Sequence, residues 1–121
     1  MIRKISTNIN DFQITKDFNL REFECPCCGQ VMIDGILVDY LQDIRNEYGA
    51  PIIVNSGYRC EVHNLYIGGK EDSDHLYGKA ADITGERPGN YNDLWAVLGG
   101  FQDRLKIIPH PGEVYFHVAI K

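Results

Sequence analysis

The stretch from Asp34 to Pro51 constrains the fold of this chain most. Asp34 can cap a helix, and Ile36, Leu37, Tyr40, Leu41, Ile44 and Tyr48 then recur at helical spacing. Gly49 ends the run and Pro51 bars a restart. The pattern predicts a helix with one apolar face, which must be buried against another layer. The segments that follow are short and β-like. PIIVN (51–55), KAADIT (79–84), RLKII (104–108) and VYFHVAI (114–120) read as strands, and PHPGE (109–113) as a turn between the last two. Asn90 is placed to cap a second helix with Tyr91, Leu94, Trp95 and Leu98 facing inward and Gly99 at its end. The expected architecture is α+β, a small antiparallel sheet with flanking helices.

At 121 residues the chain has the size of one domain. Residues 1–17 are expected to form an N-terminal arm, with Phe18, Leu20 and Phe23 available to pin the segment behind it to the core. A net charge of -5 argues against nucleic acid or an anionic membrane as partner. No apolar run is long enough to span a bilayer. The first residues carry two basic groups without an apolar stretch behind them, so no secretory signal peptide is expected. A monomer is expected.

Residues 56–74 are rich in Gly, Asn, Ser and Asp and read as a long loop with one helical turn. Long loops inside compact domains tend to carry function. The loop leads into DSDHLYGKAAD (72–82), which holds His75 and Asp82 seven residues apart. Alternation puts Asp82 and Ala80 on one face of their strand. In the last strand Phe116, Val118 and Ile120 point one way, and Tyr115, His117 and Ala119 the other. If these two strands are neighbours, Asp82 and His117 can face one cleft, with His75 entering from the preceding turn and Gly78 allowing the bend. Two imidazoles and a carboxylate are a ligand set suited to catalytic zinc, with a fourth position left open. Taken alone, the three residues also fit hydrogen-bonded strand histidines.

The pattern Ser73-x-His75-x-x-Gly78-x-Ala80-x-Asp82, with SGYR at 56–59, His63-Asn64, Gly68-Gly69 and Phe116-His117-Val118, resembles the M15 family of zinc peptidases. These are D-alanyl-D-alanine carboxypeptidases and related peptidoglycan endopeptidases. The resemblance runs from about Phe18 to Lys121 and implies a hedgehog-like, D-Ala-D-Ala-peptidase-like fold. It also implies a Zn2+ cofactor held by His75, Asp82 and His117, and the peptidoglycan stem peptide as substrate. Arg59 would hold the oxyanion or a substrate carboxylate through its fork of donors. The chain departs from the family at the proton-transfer residue. Val114 stands where many members have an acid three residues before the last histidine, and Ala119 where others have one two residues after it. Glu113 is the expected replacement, because on a straight strand it shares the face of His117. His110 is the second candidate. A non-catalytic zinc domain that binds peptide or protein is the rival reading, motivated by the same two departures.

The remaining motif is CPCCG. Cys25-x-x-Cys28 and Cys60-x-x-His63 have the spacing of two halves of a structural zinc site that would tie the N-terminal arm to the loop after SGYR. Cys27 competes for a place in that set. A disulfide from Cys60 to one of the other three cysteines is the alternative.

Overall fold

The computed structural model describes residues 9–86 and 91–121. Helix α1 covers Gly35–Tyr48, strand β1 Ile52–Ser56, helix α2 Glu61–Tyr66 and strand β2 Ala80–Gly85. Helix α3 covers Tyr91–Leu98, strand β3 Leu105–His110 and strand β4 Tyr115–Ile120. The strands form one antiparallel sheet in the order β1-β2-β4-β3. This is the expected α+β arrangement. The Asn90 cap expected for α3 lies outside the described residues.

The helix ends are set by local chemistry. The Asp34 carboxylate accepts the Ile36 N–H at 2.9 Å, and Gly49 closes α1 in the left-handed region at φ 74°. Leu37, Val38, Leu41 and Ile44 form the buried stripe of α1. Val38 takes the place expected for Ile36, which lies off the stripe in the first turn and is exposed. On α3, Leu94 and Leu98 are fully buried, while Tyr91 and Trp95 sandwich Phe116 of β4 in parallel stacks at 4.2 and 5.5 Å. Both helices therefore cover the sheet face formed by Ile83, Phe116 and Val118. Phe18 and Phe23 complete that core from the N-terminal side, as expected.

The opposite sheet face carries Asp82, His117, Ile108 and His110, and among the described residues no second apolar layer covers it. Here the structure corrects the sequence reading at the β3–β4 connection. Pro109 and His110 belong to β3, and the turn occupies residues 111–114. Val114 sits in the left-handed region at φ 60°, which a β-branched side chain adopts only under strain. Residues 56–74 are also more ordered than a loop: α2 occupies their centre and a 3₁₀ turn follows at Asp74–Tyr77.

Candidate metal centre

One row of residues runs straight across the sheet. Ser56 on β1 pairs with Asp82 on β2, Asp82 with His117 on β4, and His117 with Ile108 on β3. Ser56 joins this row because a bulge lies between Val54 and Ser56. Without the extra residue, Ser56 would share the core face of Val54. The bulge turns it toward the site and starts the SGYR segment on the open side.

His75 arrives from the 3₁₀ turn. Ser73 caps that turn by accepting the His75 N–H at 3.2 Å, and Gly78 ends it at φ 68°. The ring is fully buried, with Nδ1 2.7 Å from the Gly57 carbonyl oxygen. Gly57 itself packs closely on the Phe23 backbone, since a Cβ there would stand 2.5 Å from Phe23 Cα. The backbone also pairs here: the Arg59 N–H donates to the His75 carbonyl at 3.2 Å.

The donor atoms of three residues then meet. Asp82 Oδ1 lies 3.2 Å from His75 Nε2 and 3.0 Å from His117 Nδ1, and the two ring nitrogens are 3.3 Å apart. Ligands about 2.0–2.1 Å from a tetrahedral zinc stand roughly 3.3 Å from one another, so the triangle has the dimensions of one face of such a site. The hydrogen-bond chemistry agrees. A carbonyl accepts only a proton, so His75 Nδ1 carries it, and in the neutral ring Nε2 presents a lone pair. That lone pair faces a carboxylate oxygen. The pair is repulsive unless a cation stands between them, and a carbonyl on the far nitrogen is the usual way a metal-binding histidine is oriented. His75, Asp82 and His117 thus form a site able to hold a metal ion. Burial alone would push the Asp82 carboxyl up; with no ion bound and the imidazoles charged, hydrogen bonds from His117 and His75 outweigh it and hold the group well below the ordinary carboxylate range.

Arg59 braces the carboxylate from the other side. Its Nη2 lies 3.4 Å from Asp82 Oδ2, its Nη1 donates to Asn64 Oδ1 at 3.1 Å, and its Nε to Ser56 Oγ at 3.2 Å. Asn64 is buried and is itself fixed by donating to the Lys70 carbonyl at 2.7 Å. The sequence marked Ser56 and Asn64 as motif residues but gave them no role. Their role is positional, and only the fold makes it visible.

The three metal-binding side chains line an open cleft of about 620 Å³ with Arg59, Lys70, Lys106, His110 and Tyr115 among its walls. His110 stacks on Tyr115 with ring centroids 4.4 Å apart. It lies two residues along β3 from Ile108, the register partner of His117, hence on the same sheet face and about 7 Å along the strand. Glu113 is placed differently. It is exposed in the 111–114 turn, and the left-handed Val114 breaks the strand alternation that would have aligned it with His117. The expectation of a shared strand face is corrected on that ground. Glu113 is absent from the residues lining the cleft.

Comparison with known proteins gives this site its context. Residues 16–99 match the model of the Peptidase M15 family. The chain belongs to the M15 peptidase family. The matched span contains His75 and Asp82 but stops before His117, whose membership in the site rests on the β2–β4 register. A 44-residue segment is also 46% identical to the zinc D-Ala-D-Ala carboxypeptidase of Streptomyces albus G, covering 36% of this chain and 17% of that protein. A His–His–Asp metal site inside an M15 domain supports metallopeptidase chemistry in general terms.

The cysteines lie apart from this cleft. Cys25 is buried, Cys60 half-buried, and Cys27 and Cys28 exposed. The thiols of Cys25, Cys28 and Cys60 cluster, whereas neither Cys27 nor His63, the expected fourth member, is part of the group. Its ring lies in a neighbouring groove with Pro26, Cys27, Val62 and Tyr66.

Proposed function

We propose that this chain is a zinc-dependent peptidase that hydrolyses peptide bonds of peptidoglycan stem peptides, with removal of a terminal D-Ala as its first reaction. The observation that carries the reading is the convergence of His75, Asp82 and His117 in an open cleft, with the His75 tautomer fixed for metal binding. The choice of bond is supported by the activity for which the Streptomyces albus G relative is named. It is also supported by Arg59, Lys70 and Lys106 along the cleft, which suit a substrate ending in a free carboxylate. Cleavage between L-Ala and D-Glu is the second bond to be tested.

When bound, zinc supplies Lewis acidity that polarises the scissile carbonyl and makes water a usable nucleophile near neutral pH. His75, Asp82 and His117 hold the ion, and the single carboxylate leaves it a net positive charge. Arg59 has five N–H donors, three of which go to Ser56, Asn64 and Asp82. The remaining two are available to the substrate carbonyl or carboxylate, and the anchored ones keep the fork from reorienting during the reaction. His110 is the proposed proton carrier. A ring nitrogen takes the proton from the attacking water and returns it to the leaving amine, with the Tyr115 stack holding the ring plane.

The deciding experiment is mass spectrometry of purified muropeptides incubated with zinc-loaded protein, beside a His117→Ala control. Loss of one D-Ala, or a split between L-Ala and D-Glu, establishes the enzyme and names the bond. Intact muropeptides that nevertheless bind the protein would favour the non-catalytic reading, for which the missing acids at Val114 and Ala119 are the motive.

A further inference from the structure

We propose that Cys25, Cys27, Cys28 and Cys60 form a second metal site, a four-thiolate zinc centre separate from the His–His–Asp cleft, that fastens the N-terminal segment to the loop carrying Arg59. It does not rest on the peptidase reading. No cysteine lines the catalytic cleft, and the inference stands or falls on thiol geometry alone.

The sulfurs have the right mutual placement. Those of Cys25, Cys28 and Cys60 all lie within 4.8 Å of one another, and Cys25 Sγ is 3.7 Å from Cys60 Sγ. Thiolates about 2.3 Å from a tetrahedral zinc stand roughly 3.8 Å apart, whereas a disulfide needs about 2.05 Å. Cys27, the remaining thiol, is exposed in the same CPCC segment and is assigned the fourth place.

The backbone around the sulfurs has the form that bound thiolates require. Residues 25–30 make a tight knuckle. The Cys25 N–H donates to the Gln30 carbonyl at 2.8 Å, the Gly29 N–H to the Cys25 carbonyl at 2.8 Å, and Gly29 takes φ 73°. From across the fold the Cys60 N–H donates to Cys25 Sγ at 3.5 Å. The His63 N–H in turn donates to Cys60 Sγ at 3.4 Å. A neutral thiol is a weak acceptor, whereas a metal-bound thiolate is steadied by such N–H donors. Soft sulfur ligands select zinc over the hard cations.

The position of the site gives it a purpose. Cys25 and Cys60 are 35 residues apart, and Cys60 follows Arg59 directly while serving as the N-cap of α2. An ion there closes a long loop in a small domain, where such cross-links have the largest stabilising effect. It also fixes the chain on one side of Arg59, as the backbone bond to His75 does on the other.

The test uses the full chain carrying His75→Ala and His117→Ala, which removes two ligands of the first site and leaves every cysteine. The protein is purified anaerobically and titrated with Zn2+, then with Co2+. Native mass spectrometry and elemental analysis should find one tightly held ion per chain. The cobalt form should show thiolate-to-metal charge-transfer absorption in the near ultraviolet and the intense visible bands of tetrahedral coordination. Iodoacetamide labelling of the four cysteines should slow at least about tenfold with zinc bound and recover on adding a chelator. Cys28→Ser should abolish the ion, Cys27→Ser should weaken it and change the cobalt spectrum, and His63→Ala should leave both as they were. Should the cysteine variants fail to fold, unmutated protein decides the matter by holding two ions per chain, one in thiolate coordination. No bound ion in the double variant, cobalt binding without charge transfer, or a Cys25–Cys60 disulfide in the intact mass would each overturn the proposal. An unchanged spectrum in Cys27→Ser would overturn the four-cysteine set.

Discussion

Asp82 and His117 are direct register partners on neighbouring antiparallel strands, and their donor atoms stand 3.0 Å apart. That pairing, between residues 35 positions apart, joins a ligand inside the family-matched span to one beyond it. Asp82→Asn preserves the shape of the site and removes its only negative ligand. Zinc affinity of this site, read in a Cys28→Ser background by competition with a chromophoric chelator, should fall by more than about a hundredfold, beyond the 10–100-fold usual for losing an outer hydrogen-bond partner. Retention of full affinity would show that these three residues are not the ligands.

His110 and Glu113 divide the question of proton transfer. General acid–base groups typically contribute 10²–10⁴-fold. His110→Gln should therefore lower kcat by about a hundredfold or more, while Glu113→Gln should cost less than about threefold, with zinc content unchanged in both. The opposite ranking would return the role to the turn carboxylate and imply that the 111–114 turn moves on binding substrate.

Gly69 tests how Arg59 is held. A Cβ at this position would collide with the Asn64 side-chain oxygen and crowd Arg59 Nη1. Asn64 is buried, so it must shift and give up its bond to Arg59 or to the Lys70 carbonyl. Gly69→Ala should cost about 1–3 kcal/mol of stability, the usual penalty for a buried polar group left unpaired. It should also lower kcat/KM while zinc affinity changes by less than about tenfold. Urea unfolding and a metal titration separate the two effects.

Asp34 gives a pH-dependent contribution far from the cleft. Its carboxylate caps α1 and pairs with Lys79 at 3.0 Å, and the hydrogen bonds from Lys79 and from the Ile36 N–H hold it below its usual range. A carboxyl lowered on folding adds stability above its unfolded value of about 3.9, and that stability is lost as pH falls through the lower folded value. Asp34→Ala should cost about 1 kcal/mol at pH 7, the typical worth of an N-cap, and progressively less below pH 4. Urea midpoints of both proteins at pH 7 and pH 3 measure the difference.

Much of this architecture is local and therefore readable from sequence. The Asp34 cap, the Gly49 stop and the two-residue alternation of VYFHVAI are consequences of backbone geometry within a few residues. They were enough to put Asp82 and His117 on the less apolar faces of their strands and His75 in the turn beside them. Spacing alone also marked the cysteines as a group.

Which of these residues meet is set by long-range packing. The β1 bulge that turns Ser56 to the site, and the chain of contacts from Ser56 and Asn64 through Arg59 to Asp82, depend on segments that approach only after the sheet has formed. The proton-transfer candidate changed for a similar reason. Alternation extrapolated back from His117 favoured Glu113, but a single left-handed residue, Val114, ends the strand and moves Glu113 into the exposed turn, while His110 stays on β3 beside the cleft. Likewise the Cys60-x-x-His63 spacing offered the imidazole, but the fold clusters the Cys25, Cys28 and Cys60 thiols without it. Periodicity fixes which way a side chain faces within one element. Register and turn conformation, set by packing against distant parts of the chain, fix what it faces.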